Sequence, residues 1–229
     1  MSMIARMVRL GVVADCRVPA AGLTVLARAA SGAGLGPIWV SDRAPTGPLR
    51  PDQLAVLADS TRAGGCALAH DADCTLWAPT GPPPAPRGLM AGAQPVVLVP
   101  AWPARSLEQV VSAWSSAGGD PAELVVELPV SIGRTRAEAA ARTGDWFGPF
   151  GDPTVHGLFG SLEDCQDQVA SLLEKGIIEL RCILPEADQI DVIAQLSAVA
   201  VGLRARGGPG SPRSPAPPPP AGWGSPPRP

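Results

Sequence analysis

His70, Asp71, Asp73 and Cys74 fall within five residues, four side chains of the kinds that hold metals or move protons. Ligands so closely bunched define no coordination geometry, and a polar loop leaving a strand accounts for them better, so no metal is expected. His156, the other of two histidines, has no partner nearby in sequence to set its pKa as a general base needs, and reads as a loop residue. Gly32, Gly34 and Gly36 look like the start of a dinucleotide loop. Pro37 stands where the third glycine belongs, however, and the segment joins helix to strand, whereas pyrophosphate binding needs a strand feeding a helix N-terminus. A helix C-cap is the expected role. Trp39 sits within a strand pattern and reads as core, while Trp102, just after the run VVLVP, suits a residue facing a site mouth. Asp42 follows an apolar strand directly, where a carboxylate either bonds neighbouring backbone amides or meets a ligand. The chain has no P-loop, no G-x-S-x-G elbow and no H-E-x-x-H pattern, and no catalytic residue is assigned.

The elements that must position these residues alternate. VRLGVVA (8–14) is a short buried strand, and Leu23, Leu26, Ala27 and Ala30 then recur at helical spacing until the glycines. PIWVS (37–41) is a second strand, a helix starts near Leu54, and residues 66–69 form a third strand. Five prolines within 79–88 then break the pattern, since neither a helix nor an interior strand accommodates them. VVLV (96–99), a helix from Ser106 to Ala117, and LVVEL (124–128), interrupted only by Glu127, restore it. A helix over 135–147, a strand at 158–160, a capping box on Ser161 and Asp164, the strand IIELRCIL (177–184) and a last helix from Asp188 complete the series. Such alternation requires a parallel sheet with helices outside it.

Composition narrows the function. Of 229 residues, 45% are apolar, yet no apolar run reaches the roughly 20 residues of a membrane helix. A net charge of −3 with no basic cluster argues against nucleic acid as a partner. Five cysteines without a CxxC pair read as free thiols, and with no signal-like segment at the start the expected location is the cytoplasm. Residues 207–229 hold ten of the 28 prolines and five of the 26 glycines, a composition that predicts a disordered tail after a folded domain at 1–206. A complete eight-unit barrel takes about 250 residues, so a barrel built from this domain would be incomplete.

Two stretches carry a resemblance. The opening RLGVVAD followed by GLGPIWVSDRAP, and the closing PAELVVELPVSIGRTRAEAAAR with GLFGSLEDCQDQVASLLEKGIIELRCILP, are similar to the bacterial luciferase-like flavin- or deazaflavin-dependent oxidoreductases, a monooxygenase family. The resemblance implies a (β/α) barrel of the TIM type, here incomplete because 79–88 stands where family members carry central βα units and loops for the cofactor phosphate. It implies FMN or a deazaflavin acting on a small organic substrate, and a homodimer or a heterodimer with a longer relative. The strand-end positions that transfer are Asp15, Ser41, Asp42 and Cys182; the gathering of strand-end loops at one barrel mouth adds His70 and Trp102. The alternative is a partner subunit of a full-length enzyme, poor in cofactor and without catalysis of its own.

Overall fold

The computed structural model describes residues 8–42, 47–77, 83–84, 96–98, 107–143, 157–185 and 188–206. The strands are β1 (Arg9–Ala14), β2 (Ile38–Val40), β3 (Leu68–His70), β4 (Thr75–Trp77), β5 (Val96–Leu98), β6 (Leu124–Ile132), β7 (Leu158–Gly160) and β8 (Glu179–Ile183). The helices are α1 (Ala20–Gly32), α2 (Pro51–Gly64), α3 (Leu107–Ser116), α4 (Arg136–Thr143), α5 (Leu162–Glu174) and α6 (Gln189–Arg206). Every ladder is parallel, in the order β3-β2-β1-β8-β6-β5-β4, with β7 paired to β6. This is an α/β barrel of the TIM type that does not close, as the sequence implied: no ladder joins β3 to β4 among the described residues.

The two unpaired edges are consecutive in the chain. A 3-10 turn, Asp71–Asp73, carries the backbone from β3 straight into β4, where a complete βα unit would place a helix. Among the described residues the barrel therefore opens at this seam. β4 is an element that the sequence pattern does not reveal, since three residues after a turn are too few to show a period. β6 is also longer than LVVEL suggests and continues through Pro129. Its first part pairs with β8 as far as Pro129↔Ile183, and from Val130 onward it pairs with β7. The proline sits where the strand changes partner, a position at which a missing N–H is tolerated.

Because successive side chains point to opposite faces of a strand, each strand feeds two interiors. Toward the helices go Leu10, Val12, Ile38, Val40, Leu124, Val126, Leu180 and Cys182, which form one apolar core with Leu23, Leu26, Leu57, Val169, Ile193 and Leu196. Toward the barrel axis go Val13, Trp39, Val125 and Ile183, with Ala69 and Cys74 against them. The first layer holds the helices on the sheet. Trp77 and Trp114 pack with ring centroids 5.9 Å apart, and the Trp114 Nε1–H donates to the carbonyl of Asp120 at 2.9 Å. Residues 207–229 lie outside the described residues, as does most of 79–88. No helix among the described residues is long and apolar enough to cross a membrane.

Candidate functional site

The axis-facing side of the sheet holds charge as well as apolar groups. Arg181, in the middle of β8, is fully buried and reaches across the barrel. Its Nη1 makes an ion pair with Asp71 at the β3–β4 seam, its Nε lies 3.0 Å from Glu127 Oε2 on β6, and its guanidinium carbon sits 5.1 Å from the centre of the Trp39 ring on β2. Ser41, the residue after β2, donates its hydroxyl proton to Asp71 Oδ2 at 2.7 Å. Four strands or strand ends thus meet on one guanidinium. The register explains the meeting: Arg181 pairs with Gly11 on one side and Glu127 on the other, all three pointing inward.

Gly11 makes the cluster possible. A Cβ there would lie 2.7 Å from Trp39 Nε1 and 2.7 Å from the carbonyl oxygen of Pro37. With no side chain in the way, the indole rests on the β1 backbone beside Arg181. Three donors in the cluster, Trp39 Nε1 and the Nε and Nη2 of Arg181, are buried and make no hydrogen bond among the described residues, although Nε stands in the ion pair with Glu127.

The strand-end residues named from the sequence separate. Ser41 enters the buried cluster. Asp15, also buried, accepts from the Arg17 backbone N–H at 2.8 Å and from Arg17 Nε at 3.0 Å, so its charge is matched within its own loop. Gln53 on α2 fixes that loop by donating to the carbonyls of Cys16 (2.8 Å) and Val18 (2.7 Å). Asp42 is exposed. His70 pairs in register with Val40 and shares its helix-facing side, so the axis positions of this segment belong to Ala69 and Asp71. Cys182 faces the helices beside Cys165. Burial pushes its thiol up to about 12, which leaves no thiolate at neutral pH. Trp102 and His156 lie outside the described residues.

Arg181 and Glu127 are the residues that sequence reasoning missed. Their signal was present as charges breaking the apolar runs LVVEL and IIELRCIL, at positions that the ladder makes equivalent. The neighbouring acid of the second run, Glu179, pairs with Arg9 nearer the start of β1. Among the described residues no group of His, Cys, Asp or Glu has a metal-binding arrangement.

Where β1 and β8 hand over to α1 and α6, a groove of about 460 Å³ is lined by Arg17, Val18, Gly22, Val25, Gln189 and Ile190 among others. The N-terminus of α5, near the place where barrels often bind phosphate, is closed by the chain's own carboxylate. The Ser161 backbone N–H and hydroxyl donate to Asp164 Oδ2 at 2.8 and 2.9 Å, and these bonds hold the Asp164 carboxyl below its ordinary pKa. Gly160, at φ +130°, brings the backbone so close to Asp164 that a Cβ would lie 2.6 Å from Oδ2.

No family model matches the sequence, and no curated protein matches it. Solved structures do. An F420-dependent secondary alcohol dehydrogenase, solved with an F420–acetone adduct, superposes with a TM-score of 0.56 at 10% identity over 86% of this chain and 99% of that one. What the two chains share is a TIM-type α/β barrel fold. Apo-MsnO8 superposes with a TM-score of 0.50 at 14% identity, over 86% of this chain and 98% of that one. At such low identity the likeness is one of fold alone; Ser41 and Asp71 directly follow β2 and β3.

Proposed function

We propose that this chain is a luciferase-like oxidoreductase that holds a deazaflavin at the C-terminal ends of its strands. The observation that carries the reading is the buried Ser41–Asp71–Arg181–Glu127 cluster, a polar network set at the mouth of a barrel whose fold is shared with a deazaflavin-dependent alcohol dehydrogenase. The donor set fits such a group in part. Trp39 Nε1 and Arg181 Nη2 are buried donors suited to carbonyl oxygens, whereas the self-capped N-terminus of α5 is closed to its phosphate. Ser41 and Asp71 would meet the ring, and the groove along Val18, Val25 and Ile190 offers an apolar wall to the tail. When bound, a deazaflavin supplies two-electron hydride chemistry. The chain's own residues do the rest. Arg181 is the counterion that lets Asp71 stay buried, Asp71 fixes the hydroxyl of Ser41, and Val13, Trp39 and Ile183 keep water from entering below.

One observation favours the partner-subunit reading: the chain fills its own phosphate corner with Asp164. Turnover separates the two. The full chain is mixed with reduced deazaflavin coenzyme and a panel of small ketones and aldehydes, and the return of the oxidised chromophore is followed by absorbance. Saturable oxidation faster than in the protein-free control supports the oxidoreductase. No oxidation with any substrate, together with association to a longer luciferase-like protein by light scattering, supports the subunit.

A further inference from the structure

α2 and α5 turn charged side chains to solvent, among them Asp52, Asp59 and Arg62 on the first and Glu163, Asp167 and Glu174 on the second. α6 is different. Its outward positions Ile190, Ala194, Ala198, Val201 and Ala205 recur at steps of three and four residues, which makes them one apolar stripe about 22 Å long. Ile190 is 43% and Val201 58% exposed, and Val25 of α1, which lines the groove with Ile190, is 52% exposed. These are three of the four exposed large apolar side chains among the described residues. A helix that is apolar on its outer as well as its inner side is ordinarily covered on both.

The charges at the ends of the stripe select what covers it. Asp191 and Arg204 are both exposed, and neither makes an ion pair among the described residues. They stand at equal distances from a midpoint between Ser197 and Ala198, and so do Ala194 and Val201. A second α6 turned end for end therefore brings Asp191 level with Arg204, Ala194 level with Val201, and the positive end of one helix dipole level with the negative end of the other. A patch that matches itself in this way is what a two-fold axis requires. We propose that two copies of this chain pair through this face, their α6 helices antiparallel about Ser197 and Ala198, with the outer side of α1 at the edge of the contact. A stripe of this length and one helix width, about 10 Å, falls short of the roughly 800 Å² that each partner of a stable complex buries, so the dimer is a weak one, forming in the micromolar range. A membrane surface suits the face less, because the start of α6 carries Asp188 and Asp191 where basic residues would be needed. The pairing stands whether or not a deazaflavin binds, and its test contains no cofactor.

The test follows the full chain by sedimentation equilibrium from low to high micromolar concentration. The expected result is a mass that rises from the 23.4 kDa of one chain toward twice that value. Val201→Glu and, separately, Ala194→Glu place a charge in the stripe at positions open to solvent in a single chain, and each should weaken association about tenfold with an unchanged circular dichroism spectrum. Asp191→Arg and Arg204→Asp should each weaken it severalfold alone. The two together should restore it, because the exchanged charges again stand level with opposite ones. A monomer at every concentration overturns the proposal and leaves the stripe to solvent, and a monomer that binds phosphatidylcholine vesicles overturns it in favour of a membrane. A dimer unmoved by either glutamate forms through another face and overturns it as well. Failure of the double exchange to restore association overturns the antiparallel pairing.

Discussion

Arg181 and Cys182 are consecutive, both wholly buried, and opposite in every other respect. One faces the barrel axis and gathers Asp71, Glu127 and Trp39; the other faces the helices and packs among apolar side chains. The helix-facing layer is held by area removed from water and carries no chemistry, since Cys165 and Cys182 have thiols pushed up to about 12 by burial. The axis-facing layer is held by matched charges, so each member depends on the others. Depth alone therefore does not tell the two layers apart; the face of the strand does.

If the axis layer depends on matching, the largest effect comes from removing its hub. Arg181→Met should cost about 3–5 kcal/mol in urea denaturation, because Asp71 and Glu127 are left buried without a counterion. Adding Asp71→Asn and Glu127→Gln to it should recover a large part of that loss. A single variant within about 1 kcal/mol of wild type would erase the distinction between the layers.

On the helix side, shape and polarity should matter and charge should not. Cys182→Ser places a hydroxyl in an apolar pocket and should cost about 1–3 kcal/mol, with Cys182→Ala closer to wild type. Ser at no cost would mean that the layer contains an acceptor. A smaller effect, about 1 kcal/mol, is expected at the surface for Asp164→Ala, which removes the reciprocal cap of α5 and should show as an earlier thermal midpoint.

The smallest effect is a slope. Burial raises the pKa of Glu179 above its ordinary 4.5, with Arg9 opposing the rise. A raised carboxyl pKa means that the folded chain binds that proton more tightly, so the contribution is fully present below 4.5 and is lost as pH climbs through the raised value. Wild type should accordingly lose stability relative to Glu179→Gln as pH rises from about 4.5. Superimposable curves would show that Arg9 offsets the burial completely.

Much of the scaffold could be read from the residues. IIELRCIL, the Ser161–Asp164 box and the βα alternation are local patterns, and each appears where the chain places it. The site was legible only in part. Ser41 could be named because it ends a strand, but its partner Asp71 is thirty residues away and belongs to a loop that looked merely polar. Arg181 and Glu127 are joined by register, which no stretch of sequence displays. His70 and Cys182 were named as strand-end residues, and a one-residue step along a strand turned each toward the helices.

The claim that the axis-facing cluster underlies a cofactor site is tested most directly by titrating the full chain with oxidised deazaflavin coenzyme and following its fluorescence. The account predicts saturable binding with one site per chain, weakened about tenfold, or 1.4 kcal/mol, by Ser41→Ala in a protein of unchanged thermal midpoint. No saturable change up to high micromolar coenzyme, with the protein folded, would contradict it.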